Sequence, residues 1–248
     1  ANETVADLLI SGKIRSAVIF GGLLILSATG VISFVHDFLL VQPARGITAG
    51  FEANAEEYQL IVQSVSLRIE EIRAQGHLSS YNHFLDPMES SVEFAVFASS
   101  AANIALHVIN IYLILSRPLV MVLLCVLFIL LGVIPFVERD RRLRNLAMAT
   151  GTAAWVFMIA MPLAVIISGN LTGIYTGALR YSTELRLEGF LEESSSLLQE
   201  AVDSEEMRRE MILLVKGHHN YIWFASASWI FDTVVLPVLF SWIIYRAG

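Results

Sequence analysis

Long stretches of the chain carry almost no formal charge, and this feature constrains its fold more than any other. Five such stretches are predicted as hydrophobic helices over 16–41, 92–116, 118–137, 145–174 and 221–246. A helix needs about 20 apolar residues to cross the roughly 30 Å hydrocarbon core of a bilayer. The runs are continuous rather than alternating, which favours helices over a β-barrel, because a helix satisfies its own backbone in lipid. Composition agrees, since 56% of residues are hydrophobic and 16% charged, against about 25% charged in soluble domains. The expected fold is an all-α, multi-pass integral membrane protein with about five hydrophobic helices, four or five of them full spans. The first apolar run is too long for a signal h-region and is expected to stay as an anchor.

Two polar segments separate these stretches. In the first, 45–89, Phe51, Ala55, Tyr58, Val62, Val65, Ile69 and Ile72 recur at alternating spacings of 4 and 3. That heptad stripe predicts a helix that buries one face against another helix. Gly76 reads as its C-cap. In the second, 178–216, Leu187, Leu191, Ser194, Leu198 and Ala201 keep the same spacing less cleanly. Both segments are acidic, with seven acids against three bases and nine against five. They are expected to form long amphipathic arms outside the membrane. The stripes suit packing of arm on arm within one chain; the alternative is coiled-coil contact between subunits.

The basic residues set a topological puzzle. Lys13 and Arg15, then Arg139, Arg141, Arg142 and Arg144, mark two cytoplasmic positions by the excess of arginine and lysine in short inner loops. An even number of crossings must separate them, yet 16–41, 92–116 and 118–137 make three. The conflict lifts if 92–116 does not fully span. Ser116-Arg117-Pro118 reads as a break between two helices, with Pro118 opening the second. Pro162 and Pro237 are expected to kink the helices that hold them.

Within the second hydrophobic helix, Ser100, Asn103, His107 and Asn110 are spaced 3, 4 and 3 and so share one face. Polar groups in a bilayer cost free energy and mark interhelical hydrogen bonds or a conducting path. Asp232 is the one carboxylate in the core of the last predicted span, where it stays neutral or pairs with His107. These five residues are the candidate intramembrane polar face. No hydrolase, zinc-protease or nucleotide-binding motif occurs, so no enzymatic activity, cofactor or metal site is expected. Cys125 is a single cysteine and forms no intrachain disulfide. A net charge of −7 argues against nucleic acid, whose phosphates need a basic surface.

These features suggest a structural or accessory subunit of a multi-subunit or homo-oligomeric assembly, placed in a bacterial inner membrane. Its partners would be the lipid bilayer and further copies or other membrane subunits. The alternative is an oligomeric ion channel or small transporter using the polar face of the second hydrophobic helix.

Overall fold

A computed structural model describes residues 2–74, 83–137, 140–199 and 205–247. Among them all regular structure is helical. Helix α1 covers Asn2–Ala28 and α2 covers Val31–Ala74; the two meet at a 60° bend. Gly30 makes that bend with φ of 78°, a left-handed conformation that glycine adopts without a Cβ penalty. Helix α3 covers Asp86–Val133, α4 Arg141–Tyr175, α5 Gly177–Gln199 and α6 residues 205–247. The expected cap Gly76, Arg139 and the side chain of Leu198 lie outside the described residues.

The break expected at Ser116-Arg117-Pro118 is absent, and 92–116 and 118–137 belong to one helix, α3, with Pro118 inside it. Proline removes one backbone N–H and crowds the carbonyl four residues back. Two residues before it, the Ser116 hydroxyl donates to the Leu113 carbonyl at 2.7 Å; the carbonyl that Pro118 leaves without its helical donor is that of Ile114.

Three other helical prolines follow another rule. Helices α2, α4 and α6 each contain one π-helical turn, at Asp37–Val41, Val156–Ala160 and Phe231–Val235. Pro43, Pro162 and Pro237 each stand two residues beyond one of these turns. The wide turn moves aside the carbonyl that the proline ring would strike. In α4 the loosened carbonyls find another donor, because the Tyr112 hydroxyl lies 3.2 Å from the Phe157 carbonyl and 3.4 Å from that of Val156.

The chain divides into two compact units, Ala1–Ile47 with Ile109–Ile166 and Val238–Gly248, and Thr48–Val108 with Ile167–Pro237. In the first unit, Val41 and Ala44 pack on Ile109, Leu113 and Val165, while Val120 and Leu124 pack on Ala154. Phe20 lies beside Gly132, so the second half of α1 packs against the end of α3. Lys13, Arg15, Arg141, Arg142 and Arg144 cluster at that end in sequence. Much of this unit's surface is apolar, including Val18, Ile19, Phe34, Phe38, Val122, Ile129 and Met148. Three helices are long and apolar enough to cross a membrane, or four if the bent α1–α2 pair counts as one span.

The second unit is built on the heptad stripe. Ala55, Tyr58, Val62, Val65, Ile69 and Ile72 are buried against Met88, Val92 and Ala95 of α3, Leu187 and Phe190 of α5, and Met211, Val215, Ile222 and Trp229 of α6. Phe51 and Leu191 pack at its edge. The stripe is therefore buried inside one chain. Polar contacts support it: within the core the Tyr58 hydroxyl and Ser226 Oγ are 3.0 Å apart, and at the rim Arg73 grips both carboxylate oxygens of Glu89 at 3.1 and 2.7 Å.

Candidate functional site: a buried arginine and its cavity

The second unit holds a charged centre that begins with the end of α4. Gly169, Gly173 and Gly177 recur every four residues and leave one face of the chain there without side chains. Thr176 interrupts the helix, and its backbone N–H donates to the Thr172 carbonyl at 3.0 Å. One turn further, Arg180 is only 7% exposed.

Such a guanidinium needs partners, because burying an unpaired charge costs several kcal/mol. Arg180 Nη2 lies 3.2 Å from Asp232 Oδ2 of α6 and donates to Thr176 Oγ1 at 3.3 Å. The Thr176 hydroxyl in turn donates to the same Asp232 oxygen at 2.6 Å. Above the guanidinium lies the Trp229 ring, 4.3 Å away, and the Phe51 ring is 5.5 Å away. These aromatic faces attract the cation. Burial draws the Arg180 pKa below its usual value, and the nearby carboxylates of Asp232 and Glu184 oppose that shift. Arginine keeps its proton through such a change, and it stands within salt-bridge distance of Asp232.

The centre is not fully satisfied. Arg180 Nη1, Trp229 Nε1 and Asp232 Oδ1 are buried and make no hydrogen bond with the described residues. A cavity of about 430 Å³ opens beside Arg180 and Trp229, with Asn54 and Glu57 of α2 and Tyr181 and Glu184 of α5 on its walls. The Glu184 carboxyl is raised above the ordinary carboxylate range by burial first and by the facing Glu57 second. Comparison with known protein families, with characterised proteins and with solved structures finds no match.

The sequence-derived candidates separate in space. Asp232 sits in this centre and pairs with Arg180, not with His107. The other candidates lie along α3. His107 Nδ1 is 2.8 Å from the Asn103 carbonyl and 4.0 Å from Glu52 Oε1. Asn103 Nδ2 donates to Gln59 Oε1 at 3.4 Å. Ser100 and His107 are exposed, and Asn103 and Asn110 are half-buried. Among the described residues no group of three or more His, Cys, Asp or Glu side chains converges as a metal site would require.

Sequence reasoning passed over Arg180, Trp229, Glu57 and Glu184. Arg180 was readable, being the first charge after an uncharged run from Asn145 to Leu179. A lone cation ending one apolar stretch and a lone carboxylate inside another are natural partners once the two helices pack.

Proposed function

We propose that the chain is a multi-pass integral membrane protein that serves as a structural or accessory subunit of a larger membrane assembly. Lipid is the solvent that suits the apolar surface of the first unit. The fusion of two apolar stretches into α3 supports this reading, because α1–α2 and α3 then make two crossings between Lys13 and Arg141. The inner-loop charge rule is satisfied with the basic end cytoplasmic, as in a bacterial inner membrane.

One observation carries the assembly. Phe97, Ile104 and Ile111, and beside them Val108, Leu115, Val122 and Ile129, are exposed at seven-residue spacing along α3. From Phe97 to Ile129 the helix rises about 48 Å at roughly 1.5 Å per residue. A hydrocarbon core of about 30 Å would contain that length only at a tilt near 50°, whereas membrane helices tilt about 20° on average. Some 15 Å of apolar surface around Phe97, Ile104 and Val108 thus needs cover other than lipid. A protein neighbour provides it, through this face rather than through the heptad stripe.

In mild detergent the protein should then have a mass above that of one 27.5 kDa chain with its micelle. Phe97→Glu and Ile104→Glu should release the neighbour. A wild-type protein that runs as a single chain with no companion refutes the reading. The exposure of Ser100 and His107 on the same helix supports a second reading, in which a ring of copies around α3 encloses a polar path. Liposome flux that Asn103→Leu or His107→Leu abolishes would favour this channel; absence of wild-type flux would remove it.

A further inference from the structure

We infer that the bend between α1 and α2 binds the headgroup of an anionic phospholipid, with the phosphate held by Arg117 of α3. The inference rests on the membrane reading above and is independent of the assembly.

Arg117 sets the problem. From Phe94 to Val137 it is the one formal charge in the chain. It is exposed, and it makes no ion pair, hydrogen bond or ring contact with the described residues. From Val133, where α3 ends on the side of the basic residues, the helix rises about 24 Å to Arg117 at roughly 1.5 Å per residue. A hydrocarbon core is about 30 Å thick. Arg117 therefore faces lipid rather than water, in the outer part of the core, where an unpaired charge is costly. Its stem can carry the guanidinium out to the depth of the lipid phosphates. A guanidinium matches a phosphate with two parallel, charge-assisted hydrogen bonds.

The space for that phosphate is already present. At the Gly30 bend a cavity of about 330 Å³ lies between Ala28, Thr29 and Gly30 on one side and Arg117, Pro118 and Met121 on the other. No carboxylate lines it. The first acid beyond the bend, Asp37, accepts from Gln42 Nε2 at 3.3 Å. An anionic headgroup would neutralise Arg117, whereas a choline headgroup would bring a second cation to a cavity without an acid. The exposed Thr29 hydroxyl donates to the Leu26 carbonyl at 3.1 Å. Its oxygen is left to accept from a headgroup hydroxyl, such as those of glycerol.

The surface beside the cavity selects a lipid over free phosphate. Thr29 closes the last turn of α1 by donating its backbone N–H to the Ile25 carbonyl at 2.9 Å. Ile25 and Val18 follow on the same face at spacings of 4 and 7, and they are 65% and 69% exposed. They lead from the cavity toward the basic end, the direction acyl chains take from a headgroup on the outer side. Free phosphate would use none of this surface.

The test uses the full chain in mild detergent, with phosphatidylglycerol, phosphatidylcholine and inorganic phosphate as probes. Thermal unfolding over a range of probe concentrations reads both stabilisation and affinity. Salt of about 0.5 M screens the general attraction of anionic lipid to the basic residues near the ends of α1 and α4. Under these conditions phosphatidylglycerol should raise the unfolding temperature, with an affinity about tenfold or more above that of phosphatidylcholine. Inorganic phosphate at the same concentrations should neither stabilise the chain nor displace the lipid. Arg117→Gln should remove the preference, and Arg15→Gln should leave it intact. Ala28→Phe fills the cavity with every charge kept; it should weaken phosphatidylglycerol by about tenfold and takes the place of Arg117→Gln if that variant fails to fold. The inference is overturned if the two lipids stabilise alike, if inorganic phosphate displaces the lipid, or if Arg117→Gln and Ala28→Phe bind as the wild type does. A chain that stays dispersed without detergent would instead refute the membrane reading itself.

Discussion

The Arg180–Asp232 pair permits a quantitative forecast of what happens when one charge is deleted. At 3.2 Å the Coulomb attraction of two unit charges is about 5 kcal/mol at an effective dielectric of about 20. Desolvating both groups offsets much of this, so the net worth of the pair is small. Removing one member is another matter. Asp232→Leu leaves a guanidinium that is almost wholly buried with no counter-ion in contact, at a cost of about 3–5 kcal/mol. Arg180→Met leaves the carboxylate in the same position, and also forfeits the stack on Trp229, worth about 0.5–2 kcal/mol. The double variant Arg180→Met with Asp232→Leu buries no charge at this point and should recover to within about 2 kcal/mol of the wild type. The two losses are therefore strongly non-additive, with a coupling of several kcal/mol. Denaturant unfolding of the four proteins in one mild detergent, followed by circular dichroism, measures this cycle. If either single variant unfolds like the wild type, or if the double variant loses the sum of the two singles, the ion pair is not the centre described above.

Two further outcomes follow from local geometry. Gly30→Ala should destabilise the chain by about 1–2 kcal/mol through its left-handed backbone alone, because a Cβ there meets only Ser33 Oγ at an ordinary 3.6 Å; an unchanged unfolding midpoint would contradict this. Glu184 holds its proton more tightly in the folded chain than in the unfolded one, so its contribution to stability is greatest at low pH and falls as pH rises from the ordinary carboxylate range through the raised folded value. Glu184→Gln should accordingly gain stability relative to the wild type as pH rises through that window, and a difference that shrinks or stays flat would count against the assigned cause.

Where the sequence speaks through periodicity, it speaks accurately. The spacing of Ala55 through Ile72 is a direct record of which helix face is buried, and those residues form the core of the second unit. Local rules were less dependable. Proline normally opens or ends a helix, and Pro118 was read that way, but the apolar surroundings on both sides keep α3 continuous. The π turns left no mark in hydropathy, although each announces itself by a proline two residues on. Asp232 stands out as a lone carboxylate, whereas Arg180 opens a charged segment whose other members mask it. Its partner, aromatic cover and cavity come from three other parts of the chain, and no spacing within one helix encodes them.

The three π turns have a mechanical consequence. Each adds one residue to a turn, which rotates everything downstream by about 100° relative to an uninterrupted α-helix. Closing Phe231–Val235 to an ordinary α turn without removing a residue would therefore carry Ser241 away from Met161, to which its hydroxyl now points at 2.9 Å, and present a different flank of the last dozen residues. Pro237 disfavours that shorter pitch by returning the clash with the preceding turn. The prolines thus act as pawls, holding each rod in the phase that keeps its contacts matched.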